Sequence, residues 1–419
     1  MAVRLRKPGR VEPGNGTLIK YGKRQWKALI GACLLQCAML GILVNCTGVF
    51  LAQLRMENGI PMTEISAYNT LKGIVGALLS ALVTGLFFKR NQKYALIINQ
   101  TVMCIGYLLM VFQPYGMAWY ISAAVVGVSG CLGVVAVPSM LSRVFPQRSG
   151  TPTGIAMAFS GIGGAVFNPL TARLIAAAGL RRAMAILCLV DLLFTLVGAL
   201  LLFPGGKKDT AETVRTVKWE RKGTFAWKRC IPVAMVFVCG SLGFQMAMNL
   251  SIFAQSKGYP LSTGASLTMA LMLGNVAGKF LYGFLCDRIG VWKTTALGLG
   301  CVAAGTLIFL LFGQNLGLLY FAALLFGSIY SLSTISVSRC CMEAYGEETY
   351  SHYIGLHNGL NQAVMAIASM MTGVIVDRTG SFSLVLLSVL AGTMLSLAGV
   401  WILRRIGNGK TVIPTERPM

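Results

Sequence analysis

Gly283-Phe284-Leu285-Cys286-Asp287-Arg288-Ile289-Gly290-Val291-Trp292-Lys293 closes one long apolar stretch and opens the next. Gly85-Leu86-Phe87-Phe88-Lys89-Arg90-Asn91-Gln92-Lys93 does the same 198 residues earlier. Three further pairs keep almost the same displacement: Gly127 with Gly327, Gly154 with Gly355, and Gly179 with Gly380, at 200, 201 and 201 residues. A nearly constant shift across four anchors predicts two structural repeats, one in each half of the chain.

Outward from these loops, the rest of the chain is apolar. Of its 419 residues 55% are hydrophobic and 12% charged, against about 25% charged in ordinary soluble domains. A membrane span needs about 20 mostly apolar residues. Twelve stretches qualify, near 28–52, 65–88, 94–113, 118–142, 152–177, 183–204, 230–255, 262–285, 292–312, 317–338, 351–376 and 382–404. The expected organisation is an N-terminal segment over 1–27, a six-helix bundle over 28–204, a central loop over 205–229, a second bundle over 230–404 and a tail over 405–419. The first apolar run is too long for a signal peptide and carries no cleavage signal before it.

The 36 Lys and Arg set the orientation, because cytoplasmic loops collect them. Twenty-eight fall in the N-terminal segment, the central loop, the tail and alternate short loops; six fall on the opposite side. Both termini are therefore expected in the cytoplasm, across the cell membrane. The net charge of +23 is mostly topology. Its basic residues lie between apolar runs and form no nucleic-acid-binding face. No phosphate-binding loop, metal-ligand spacing or nucleophile elbow is present, so no enzyme, cofactor or metal site is expected. The twelve Cys lie in or at the ends of apolar runs, without the pattern of a disulfide framework.

The loop Gly283-x-Leu285-x-Asp287-Arg288-x-Gly290-x-x-Lys293 resembles the signature loop of the major facilitator superfamily, and the resemblance extends from about Trp26 to Leu403. It implies an all-α membrane protein of twelve helices in two six-helix pseudo-repeats, working by alternating access. It also implies gating roles for Gly283, Asp287, Arg288 and Gly290. The Gly would let two helices approach closely, and the Asp would pair with an Arg or a helix N-terminus. The first-half copy departs from the pattern, with Lys89 where the Asp belongs and Gln92 where the Gly belongs. Gly278-Lys279-Phe-Leu-Tyr-Gly283, with Gly373-Val-Ile-Val-Asp377-Arg-Thr-Gly380-Ser-Phe382, is similar to the oxalate:formate antiporter branch and, more loosely, to monocarboxylate transporters. There a cation of the eighth span engages the substrate carboxylate, and Lys279 holds that place. Asn361 stands where the oxalate carrier has its second cation, which favours a monoanion.

The residues themselves single out Lys279. It lies eight positions before Asp287, about 12 Å from the membrane edge at 1.5 Å per residue. A cation at that depth faces a cavity or a partner; the alternative is a side chain that snorkels to the interface. Asn275 precedes it by one turn on the same face. Asn45, Gln245, Asn249 and Tyr330 are further candidate ligands, since the resemblance places spans one, four, seven and ten around the cavity. His357, Asn358, Asn361 and Gln362 form one polar face of span eleven, and His357 is a candidate proton carrier. Asp191 reads either as a proton site or as a hydrogen-bonded packing residue. Lys72, early in span two, reads as a snorkelling residue or a coupling group.

The leading expectation is a monomeric secondary transporter of a small organic anion, with a coupled proton or counter-anion. The alternative is an exporter of hydrophobic compounds, for which 21 Met and 20 Phe could line an adaptable pocket. A non-transporting receptor is a distant third.

Overall fold

The computed structural model describes residues 22–89, 91–145, 150–203, 227–345 and 347–408, and they contain no strand. Arg90, with most of the expected N-terminal segment, central loop and tail, lies outside the described residues, as do the side chains of Lys89 and His352. The helices join end to end into twelve rods. Span one is Lys23–Asn58, span two Met62–Lys89, span three Gln92–Phe112, span four 116–144, span five Gly150–Ala178 and span six Leu180–Leu202. Span seven is 227–256, span eight Leu261–Ile289, span nine Val291–Leu311, span ten 316–345, span eleven Glu347–Thr379 and span twelve Ser383–Asn408. Ten of these rods contain a helix long and apolar enough by itself to cross a membrane. The rods overrun the apolar stretches because polar end turns such as Met62-Thr63-Glu64 still wind as helix.

By the parity of twelve crossings, Lys23 and Asn408 lie at one end of the bundle, the terminus end. The turn at 59–61 lies at the other, the far end. Single glycines reverse the chain between several rods. Gly290 takes φ +86° between span eight and span nine, and Gly179 and Gly380 take +80° and +66°. A side chain at these positions would be strained, which accounts for the anchor pair Gly179 and Gly380.

The repeat is also visible in the way helices cross. Gly127 of span four packs directly on the Lys72 carbonyl of span two, and Gly327 of span ten packs on the Leu271 carbonyl of span eight. A Cβ on Gly31 would come within 2.7 Å of the Gly198 carbonyl, joining span one to span six; one on Gly399 would come within 2.6 Å of the Pro232 carbonyl, joining span twelve to span seven. Lipid tails give helices no hydrophobic reason to associate, so close backbone packing of this kind holds each six-helix half together.

Between the halves, span two packs on span eleven and span five on span eight. At the far end Asp377, near the close of span eleven, accepts hydrogen bonds from the Met62 and Thr63 amides, at 2.8 and 2.6 Å, and from the Thr63 hydroxyl. The carboxylate thus caps the exposed N-terminus of span two. Ser369 donates to the Ser66 carbonyl and Thr70 to the Ala366 carbonyl below it. Midway down, Gly161 and Gly164 of span five meet Val276 and Met272 of span eight. Toward the terminus end a Cβ on Gly85, Gly154 or Gly283 would meet nothing within 4 Å among the described residues, so the helix faces that carry these three glycines are open there. The bundle is closed at the far end.

Two outcomes follow from this packing. Replacing Gly274 or Gly127 by Val should lower the detergent unfolding temperature, since overpacking of a tight contact costs about 1–3 kcal/mol, whereas Gly283→Ala should leave it unchanged. Asp377→Asn should weaken the far-end tie by about 1–2 kcal/mol. A cysteine introduced at Thr70, with the native cysteines replaced, should then react several-fold faster with a membrane-impermeant thiol reagent. An unchanged rate would remove Asp377 as a tie.

Candidate functional site

Four rods are interrupted, and they are spans one, four, seven and ten. Span one widens into a π-helical stretch at Cys37–Ile42 and passes through irregular turns over 43–46. Span four breaks at Cys131, span seven at Asn249, and span ten at Gly327 and again at a π-helical stretch over Leu332–Ser336. In a membrane protein irregular backbone persists where it is buried in protein or lines a cavity. The interruptions therefore mark the interior of the bundle.

Lys279 sits beside this interior, half-buried, with no hydrogen-bond or ion-pair partner among the described residues. A cation at the centre of a membrane helix costs about 2.5–3.5 kcal/mol on insertion scales, so one without a partner among the described residues is a candidate functional group. One turn farther in, Asn275 is buried against the span-five contact, where its amide nitrogen lies 3.2 Å from a Cβ placed on Gly161. Its Oδ1 has no partner. Lys279 therefore stands just to the terminus side of the span five–span eight contact.

Span ten carries two more candidate hydroxyls, of which Ser331 reaches span eight. The Tyr330 and Ser331 hydroxyls are both buried without partners. Ser331 Oγ would lie 2.8 Å from a Cβ on Gly278, the neighbour of Lys279. Sequence reading picked out Tyr330 and missed Ser331, because a Ser in an apolar run gives no sign of which helix it will face. Lys279, Ser331 and Tyr330 can all donate hydrogen bonds, a donor set suited to a carboxylate or sulfonate.

The other expected ligands are spread more widely. Asn45 lies in the irregular part of span one, where it donates to the Ser160 carbonyl at 2.8 Å and its own carbonyl accepts from Asn168. Asn249, at the break in span seven, donates to the Gln245 carbonyl at 2.8 Å and leaves its Oδ1 free. Gln245 donates to the Met365 carbonyl, and Asn361 accepts from the Ser241 hydroxyl. Those two amides pin span seven to span eleven. His357 shares a 2.8 Å hydrogen bond with the Tyr345 hydroxyl and meets the Phe237 ring edge-on. Its Nδ1 has no partner.

Asp191 is fully buried between spans three and six, where it accepts from Gln100 Nε2 at 2.7 Å and lies 3.7 Å from the Cys104 thiol. The second of its two sequence readings, a hydrogen-bonded packing residue, describes that contact. Lys72 does not snorkel. Its Nζ is enclosed and unpartnered, 6.0 Å from the centre of the Tyr68 ring, because the helix begins at Met62 and carries it ten residues deep.

The signature loop also differs from expectation. Gly283 makes no close helix contact; that role falls to Gly278 and Gly274, five and nine residues earlier. Asp287 pairs with Arg339 of span ten at 3.7 Å, so the pair lies within the second half and does not bridge the halves. Arg288 stacks over the Phe284 ring at 4.4 Å, and Gly290 forms the turn. The inter-half tie is made instead by Asp377. Nothing near it in the sequence points to a partner 315 residues away.

The chain is 22% identical over 352 residues to an uncharacterized MFS-type transporter, YhjX, of Escherichia coli, covering 81% of this chain and 83% of the relative. It is 26% identical over 264 residues to a probable sulfoacetate transporter, SauU, of Cupriavidus necator, covering 56% of this chain and 60% of the relative. A crystal structure of a mutant of the nucleoside transporter NupG superposes with a TM-score of 0.67 at 13% identity, over 92% of this chain and all of that one, which shows the shared fold. The family model of the Major Facilitator Superfamily matches residues 33–369. With two six-helix halves, interrupted inner helices and this family match, the chain is an integral membrane protein of the Major Facilitator Superfamily.

Proposed function

We propose that the protein is a secondary transporter of a small organic anion, a monocarboxylate or a similarly small sulfonate, across the cell membrane with both termini in the cytoplasm. The observation that carries this reading is Lys279: a cation deep in an apolar rod, half-buried and without a counter-ion among the described residues. A hydrophobic cargo would leave that charge uncompensated, whereas an anion neutralises it. The similarity to a probable sulfoacetate transporter supports the broader class of small organic anions, sulfoacetate itself being a dianion. The orientation rests on the Lys and Arg asymmetry, which makes the terminus end cytoplasmic.

The mechanism follows from charge and packing. When the site is empty, rocking the halves carries an unpaired cation through a low-dielectric region, which is unfavourable. A bound anion cancels that charge, so the loaded carrier reorients more readily. This arrangement favours exchange of one anion for another. Asn275 abuts span five across the inter-half contact, so loading at Lys279 is felt where the halves meet.

Thermal unfolding of the purified protein, with acetate, lactate and sulfoacetate as probes, tests the reading. A ligand at about 100 times its dissociation constant stabilises by about 2.7 kcal/mol. One of these anions should stabilise the wild type and lose that effect in Lys279→Gln. Stabilisation that survives the substitution would exclude Lys279 from the site.

A further inference from the structure

Lys72 is a second buried cation that the mechanism around Lys279 leaves without a role. Its Nζ is enclosed and has no hydrogen-bond partner, and one turn earlier the Asn69 Oδ1 is likewise buried without one. The acidic groups at the far-end start of span two and between spans three and six have other partners: Glu64 accepts from the Tyr120 hydroxyl, Asp191 from Gln100, and Asp377 from the Met62 and Thr63 amides.

The fold itself does not require a cation at this point. At the span two–span four crossing the Lys72 carbonyl packs on Gly127; at the matching span eight–span ten crossing the Leu271 carbonyl packs on Gly327. Leu271 is fully buried and does the same packing with a hydrocarbon side chain. The amine is thus an addition to a structural position, made in one half only.

Its setting on the helix is informative. Ser66 and Thr70 face span eleven, to which they are hydrogen-bonded. Tyr68 and Gly76 face span four, through Ser122 and Gly127. At 3.6 residues per turn, Lys72 lies on the span-four side and Asn69 and Gly73 fill the arc between the two faces. A Cβ on Gly73 would meet nothing within 4 Å among the described residues, so the helix face about 100° around from Lys72, between spans four and eleven, is open.

Depth separates the two lysines. Lys72 is ten residues from the far-end start of span two, and Lys279 is eighteen from the far-end start of span eight. At 1.5 Å per residue their backbones differ by about 12 Å in depth, more than one small carboxylate can bridge. We propose that Lys72 is a second anion-binding residue, which receives the substrate from the far side when spans two and eleven part, as Lys279 receives it from the terminus side. This inference rests on the anion-transport reading.

The test is uptake of radiolabelled lactate and sulfoacetate into right-side-out and inverted membrane vesicles. Lys72→Leu, which copies the residue of the other half, should raise KM for entry from the far side tenfold or more and change KM from the terminus side less than twofold. Lys72→Arg should restore most of the loss, and Lys72→Gln serves the same comparison if the Leu variant is not recovered as a monodisperse protein. Unchanged KM on both sides, an equal rise on both, or failure of Arg to restore would overturn the role of Lys72 and leave the anion reading intact. Absence of lactate and sulfoacetate flux in the wild type would overturn the anion reading and this inference together.

Discussion

Backbone packed on backbone at glycine is the contact on which this molecule depends. Without water in the bilayer core, helices gain nothing by hiding apolar side chains from solvent, so they hold together by close van der Waals contact and by satisfying every polar backbone group. Gly76, Gly127, Gly274 and Gly327 let spans two and four, and spans eight and ten, approach to the limit set by their carbonyls. Because the contact is made with backbone, it survives wide divergence of side chains. The two halves therefore keep one architecture while carrying Lys72 in one and Leu271 in the other at equivalent points.

These rigid crossings leave motion to the seam between the halves. There the contacts are of two kinds. The span five–span eight contact, with Gly161 against Val276 and Gly164 against Met272, is apolar and central. The span two–span eleven contact carries polar ties, Asp377 on the first turn of span two and Ser369 and Thr70 below it. An apolar contact at mid-depth can roll, and a hydrogen-bonded one at the edge must break or form. Together they describe a pivot with a catch at one end.

The twelve spans, the repeat and the place of Lys279 were legible in the sequence because each leaves a local mark: a long apolar run, a glycine at a fixed displacement, or a cation with no charged neighbour. The roles of other residues depended on distant partners. Asp377 looked like the end of a span and is the inter-half tie, because its partners lie across the fold. Lys72 looked superficial because depth was counted from the first strongly apolar residue, near 65, when the helix starts at Met62. Gly283 was given a close contact on the strength of its motif, while the crossing is made five and nine residues away. The interruptions of spans one and ten, with their π-helical stretches, carry no Pro or charge to announce them.

The far-end catch has a thermodynamic consequence. If the form closed there is the resting one, a solute arriving from that side finds only the small fraction of molecules in which the catch has let go. Its apparent dissociation constant is the intrinsic one divided by that fraction, whereas a solute from the opposite side is charged no such tax. On that condition the two faces differ in apparent affinity even with identical contacts inside, dilute solute being bound more readily from the terminus side than from the far side. The strength of a few hydrogen bonds to one carboxylate, far from any cargo, sets how unequal the two faces are.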